Sequence, residues 1–345
     1  MKKYIQASQE DEFLFDEGVE MLVETARLWR SLGFYSPRNN GQFCIHCVTG
    51  PDEYNTVVDN NAYTNLMARE NLRYAVETVE RVRELRPDLF TALVHKTRLD
   101  LSEVAEWKQA AHLMYVPYDE QLRVTPQDDQ FLGQEPWDFD RTPADKYPLL
   151  LYFHPLTIYR YQVIKQADLV LAMFLLGHEF APDLKRRNFD FYDPITTGDS
   201  SLSACIQSIM AAEVGEMGKA LDYARVATLM DLGDVAGNVK DGCHIAAMGG
   251  AWMIFVYGFA GLRDYGGQLC FWPALPDVLH CIRFNLMFQG HTLEVDVGQE
   301  TTSYRLKSGS GLTIRHEESE VKLSVETPFA ERPNRKRSAD VQQSA

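Results

Sequence analysis

The chain has 345 residues, enough to bury a large core in one large domain or two. Its composition is globular, with 45% hydrophobic and 24% charged residues, and the net charge of −15 repels a phosphate backbone, which argues against a nucleic-acid partner. No apolar run reaches the roughly 18 residues that span a bilayer. Met1 to Gln6 is basic but leads into Glu10, Asp11 and Glu12 instead of an apolar stretch, so it does not read as a signal peptide. No membrane partner and a cytoplasmic location are expected.

In chain order, Phe13 to Leu32 carries apolar residues at mixed three- and four-residue steps and predicts a helix that Gly33 stops. Phe34 to Val58 reads as a loop rich in Gly, Pro and Asn. Asn61 to Arg86 predicts a second helix ended before Pro87, and Thr91 to Met114 a third with a fresh cap near Asp100. Pro117 to Pro148 has no period and reads as a function-bearing excursion. Ile158 to Leu176, apolar almost all round, predicts a buried helix. Ser200 to Val214, Met217 to Met230 and Ile245 to Phe259 predict three more, the first capped by Asp199 or Ser200. From Gln268 to Glu326 the pattern changes to six short strands separated by turn residues such as Gln289-Gly290 and Gly309. The expected organisation is a mainly α domain over 1–264, a small antiparallel β domain over 265–327 and a disordered tail over 328–345, in which Arg332, Arg335, Lys336 and Arg337 form a small basic group.

The six cysteines (Cys44, Cys47, Cys205, Cys243, Cys270 and Cys281) are too scattered for a disulfide framework. Cys44-Ile45-His46-Cys47 looks like half of a zinc or redox motif, but no second compact pair accompanies it. No metal is expected, and reduced cysteine is the simpler reading.

Four segments have the composition of a site. Gly50-Pro51-Asp52-Glu53-Tyr54 delivers two adjacent acids on a turn, and Asn60 to Asn65 follows at once. A glycosidic oxygen is a poor leaving group, so a carboxylic acid has to protonate it, and burial or a second carboxylate would poise that acid. Tyr54 and Asp52 could supply those conditions for Glu53; a solvated acidic turn is the plainer alternative. Lys165-Gln166, placed inside the predicted apolar helix, could hold sugar hydroxyls, or Lys165 could pair with Asp168. Thr196 to Ser203 is a hydroxyl-rich turn entering a helix, able to bind an anion or only to cap. Asp241-Gly242-Cys243-His244, with Gly249-Gly250 beyond it, could bring a His donor to the same anion, although a lone His is more often structural.

Together VTGPDEY (48–54), DNNAYTNLM (59–67), VIKQAD (163–168), TTGDSSLS (196–203) and DGCHIA (241–246) resemble glycoside hydrolase family 65, the maltose, trehalose and kojibiose phosphorylases, over about residues 5–297. The resemblance implies an (α/α)6 barrel followed by a small β domain. It implies Glu53 as general acid, Lys165 and Gln166 as holders of the glucosyl unit, and Thr197, Gly198, Ser200, Ser201 and His244 as the phosphate site. The implied reaction is inverting phosphorolysis of an α-glucosyl disaccharide to β-glucose 1-phosphate, with inorganic phosphate as co-substrate and nucleophile and no cofactor. The alternatives are an inverting α-glucosidase on the same scaffold and an inactive carbohydrate-binding fragment. The hydrolase would need a second carboxylate about 6.5–9.5 Å from the acid, for which Asp199, Glu213 and Asp241 are candidates. Two departures stand out. Gly198 occupies a position that is His in many family phosphorylases, and family members are about twice as long. A partial barrel, half that of the family, is therefore expected, completed by a missing N-terminal half or accompanied by homodimerisation.

Overall fold

The computed structural model describes residues 1–335. It comprises two compact units, one of Met1–Lys2 with Glu10–Ser203, the other of Lys3–Gln9 with the chain from Ala204 onward. The protein is helix-rich and ends in an all-β region. No helix among the described residues is long and apolar enough to cross a membrane.

In the first unit, the helix Val19–Leu32 packs on Ala62–Leu85, which also packs on Leu101–His112 and on Asp168–Leu175. The long helix starts where the sequence marks it: the Asn61 side chain accepts from the Thr64 amide at 2.9 Å. It ends at Leu85, and Pro87, which lacks an amide hydrogen, opens the next helix, Pro87–Thr97. Asp100 and Glu103 form a reciprocal capping box that opens Leu101–His112. Leu72, Ala75 and Val79 of the long helix are buried, one apolar stripe at helical spacing.

Three expectations for this unit need correction. The loop read over Phe34 to Val58 contains an antiparallel hairpin, Gly33–Ser36 against Gln42–Ile45. Asn40 and Gly41 both adopt positive φ in its turn, which the Asn-Asn-Gly sequence accommodates. A helix Pro182–Tyr192 also forms, where none was read. The apolar run Ile158 to Leu176 is not one helix. Pro155–Ile158 makes a single turn, Tyr161–Gln162 is extended, and only Asp168–Leu175 is a full helix. Hydrophobicity alone cannot separate a buried helix from a buried extended segment. Here the main chain of Ile164 bonds Ile195 and Thr197 instead of closing a helical turn. The excursion over 117–148 holds only short helical turns and isolated pairings, as its composition implies.

Besides Lys3–Gln9, the second unit holds the helix Ser203–Val214 from Ala204 onward and the helices Met217–Leu229 and Ile245–Met253, the last continued as a π-helical turn to Phe259. Strands take over at Leu262, close to the expected position, although the compact units divide at Ser203 and Ala204. One four-stranded sheet orders Ser319–Ser324, Gly311–His316, Cys270–Phe271 and Leu262–Arg263; the other orders Phe329–Pro333, Thr301–Ser308, His291–Gly298 and Cys281–Phe288. Leu293, Val295, Val297, Tyr304, Ile314 and Val321 alternate inward to form the core. Gln289-Gly290 turns the hairpin with both residues at positive φ.

The tail expected over 328–345 is in part ordered, because Phe329–Pro333 pairs with Thr301–Arg305. His316 Nε2 donates to the Pro333 carbonyl at 3.1 Å and its Nδ1 accepts from the buried Tyr304 hydroxyl at 2.8 Å, anchoring that strand. Residues 336–345, including Lys336 and Arg337 of the basic group, lie outside the described residues.

Candidate active site

Three of the four sequence segments meet in the first unit. Glu53 stands on a turn with its side chain 56% exposed, and its carboxylate pairs with Lys165 Nζ. Gln166 Nε2 donates to the Pro51 carbonyl, so Lys165 and Gln166 both address the acid loop. Lys165 thus sits on a bend ahead of the helix Asp168–Leu175, not inside an apolar helix, and its partner is Glu53, not Asp168. The hydroxyl-rich turn joins the same region: the Thr197 amide donates to the Ile164 carbonyl at 2.8 Å, and Ser203 Oγ to the Lys165 carbonyl at 3.3 Å.

Within that turn, Gly198 has φ +70° with open space where a side chain would stand, so its backbone conformation and not crowding suits glycine. Ser200 Oγ accepts from the Leu202 amide at 3.3 Å ahead of the helix Ser203–Val214. Thr197, Ser200 and Ser201 are half-buried.

Asp52 and Tyr54 flank the acid but face the interior. The Asp52 carboxylate is fully buried, and its Oδ1 accepts from the amides of Tyr54 at 3.2 Å and Lys165 at 2.8 Å. Its Oδ2 accepts from Asn55 Nδ2 at 2.8 Å and Gln127 Nε2 at 3.0 Å. Burial raises its pKa to about 6 against these four stabilising donors. Asp168, equally buried, accepts from the Asp52 amide at 2.6 Å and from Asn61 Nδ2 at 2.9 Å. Its pKa is raised well above the carboxylate range by burial first and by the neighbouring Asp52 charge second. The Tyr54 hydroxyl donates to Asp199 Oδ2 and accepts from the Leu149 amide at 2.8 Å. Burial, then Asp199, raises its pKa, so it stays a donor.

His244 belongs to the second unit. Its Nδ1 donates to Asp231 Oδ1 at 2.6 Å and its amide donates to Asp231 Oδ2 at 2.9 Å, leaving Nε2 as the outward nitrogen. Of the other carboxylates, Glu213 pairs with Arg263, and Asp241 closes the short turn Val239–Asp241. The supporting set of Asn55, Asn61, Gln127 and Asp168 was not identified as such from sequence. Asn61 and Asp168 stood inside the singled-out segments, whereas Gln127 lies in the excursion and carries no local signal.

Comparison with known proteins identifies the family. The model of the glycosyl hydrolase family 65 central catalytic domain matches residues 1–253, and that of the family's C-terminal domain matches residues 262–323. An alpha,alpha-trehalose phosphorylase of Geobacillus stearothermophilus is 47% identical over 91% of this chain and 40% of its own length. A kojibiose phosphorylase of Halothermothrix orenii is 34% identical over 87% of this chain and 38% of its own. A solved chain, described as a candidate kojibiose phosphorylase from human microbiome, superposes with a TM-score of 0.86 at 28% identity, covering 96% of this chain and 45% of that one. The chain therefore spans about two fifths of the length of the curated relatives it matches, and with both domain models matched in order it belongs to glycosyl hydrolase family 65.

Proposed function

We propose that this chain carries the acid and anion-binding part of an inverting phosphorylase of an α-glucosyl disaccharide. Glu53 protonates the glycosidic oxygen as the bond breaks, while phosphate attacks the anomeric carbon from the opposite face and takes the glucosyl unit as β-glucose 1-phosphate. Lys165 and Gln166 hold the glucosyl hydroxyls. Thr197, Gly198, Ser200 and Ser201 hold the anion through hydroxyls and main-chain N–H groups, and His244 is assigned to phosphate on the family resemblance alone.

The observation that carries this reading is the meeting of the acid, the Lys-amide pair and the hydroxyl-rich turn, joined through the main chain of 164–166. Trehalose, maltose and kojibiose phosphorylases among the relatives supply the substrate class. Two of the three candidate bases are already engaged, which favours phosphorolysis over hydrolysis. Asp199 Oδ2 is engaged by the Tyr54 hydroxyl, and Glu213 by Arg263. The test is release of glucose 1-phosphate and glucose from trehalose, maltose and kojibiose with and without inorganic phosphate. Turnover should require phosphate, and Glu53→Gln should lower it by about 10³-fold or more with the fold intact. Hydrolysis that proceeds equally without phosphate would overturn the proposal.

A further inference from the structure

The Glu53–Lys165 pair cannot hold itself in place. Glu53 is more than half exposed and Lys165 is on a flexible stem, and such solvated pairs contribute only about 0–1 kcal/mol. Two long side chains from residues 112 positions apart therefore face one another only if their main chains are fixed by something else. Gln166 on the Pro51 carbonyl and Asn55 on the Val163 carbonyl tie the two segments nearby, and the Asp52 carboxylate bonds the amide of Lys165 itself and the amide that follows Glu53. Its Oδ1 takes the Tyr54 amide at 3.2 Å, which closes the turn around Glu53, and the Lys165 amide at 2.8 Å. It cannot rotate away, because Asn55 and Gln127 hold Oδ2 and its own amide is held by Asp168. A charged acceptor bonds these amides more strongly than a neutral one would.

We propose that Asp52 is a positioning residue for the catalytic couple, setting through one carboxylate oxygen the place at which Glu53 and Lys165 meet the glycosidic bond. Asp52 is fully buried and touches no substrate. The proposal rests on the reading of Glu53 as the acid, yet the placement it describes can be measured apart from catalysis. A merely structural Asp52 would satisfy the same amides without any selective effect on turnover.

Two variants of the full chain separate the links. Asp52→Ser keeps a hydroxyl that can close the turn to the Tyr54 amide but is too short for Lys165. Asp52→Asn keeps an oxygen for both amides; the buried Gln127 Oε1, which has no partner, can turn to accept from the new amide group, and Asn55 Nδ2, which loses its acceptor there, keeps the Val163 carbonyl at 3.1 Å. With trehalose and inorganic phosphate, Asp52→Ser should lower kcat by about 100-fold with both KM values within about three-fold, the signature of a misplaced acid in a folded site. Asp52→Asn should stay within about ten-fold. Crystals of the serine variant should show the Glu53–Lys165 contact broken, and those of the asparagine variant should show it kept. A serine variant that retains the contact, or whose kcat is unchanged, overturns the proposal. If the serine protein does not fold, the asparagine variant decides: loss of the contact or of more than about ten-fold in kcat overturns it. Should Glu53→Gln keep full turnover, or the parent chain show none, the crystals alone decide the placement, so failure of the acid assignment and failure of the Asp52 role are told apart.

Discussion

At the scale of single residues, the acid loop depends on the absence of one side chain. A Cβ on Gly50 would lie 2.1 Å from Asp168 Oδ2 and 2.7 Å from Asn61 Nδ2, and these atoms are fixed in hydrogen bonds. Gly50→Ala should destabilise the protein by about 1–3 kcal/mol, the usual range for overpacking, and a urea titration of both proteins measures it. Because Asp168 bonds the Asp52 amide, this substitution should also lower turnover more than a distant one of equal destabilisation. The sequence singled out Glu53, Lys165 and Gln166, and the structure brings them together. It could not say that Asp52 turns inward, because adjacent residues on a loop can face any direction and two of the four donors that capture Asp52 come from the distant positions 127 and 165.

At the scale of elements, the helices of the first unit start and stop on local signals. Asp100 takes the Ser102 amide at 2.8 Å while Glu103 Oε1 takes the Asp100 amide at 2.9 Å, and Glu103 also pairs with Arg27. Asp100→Ala should lose about 1 kcal/mol, seen as a lower urea midpoint with unchanged m-value. Such caps were legible because they are written within four residues. The non-helical stretch at 161–167 was not: with the apolar residues around it, it fits a buried helix equally well. The choice was made by Ile164, whose main-chain partners lie about thirty residues away. The hairpin Gly33–Ser36 with Gln42–Ile45 was hidden for a related reason, since four-residue strands carry too little alternation to register.

At the scale of the whole molecule, buried acids shape the response to pH. Burial raises the pKa of both Asp52 and Asp128 to about 6, and burial with the Asp52 charge raises that of Asp168 well above its ordinary value. A carboxyl whose folded pKa lies above its unfolded value binds more protons in the folded state, so its contribution is full below the unfolded pKa and is lost as pH rises through the folded one. Thermal stability should accordingly fall between about pH 4 and pH 6. Glu103 and Glu179, depressed by Arg27 and Arg69 respectively, act in the opposite sense at lower pH, and His316, whose pKa burial lowers, offsets part of the fall at the upper end of this range. Calorimetry across this range checks the sign. Asp128→Asn should flatten the slope, because Asp128 Oδ2 has no partner and an amide nitrogen fits there without disturbing the bonds from the Gln130 and Phe131 amides.

The sequence by itself determined the class of this protein, its helix-to-strand order and the segments that make up its candidate site. Those properties follow from local periodicity, caps, turns and motifs, each complete within a short window. Only the tertiary structure decided which of two adjacent acids faces solvent, what Lys165 pairs with and which buried carboxyls support the loop. Those outcomes depend on hydrogen-bond partners far apart in the chain, and a one-dimensional pattern does not encode which distant donor reaches a given oxygen.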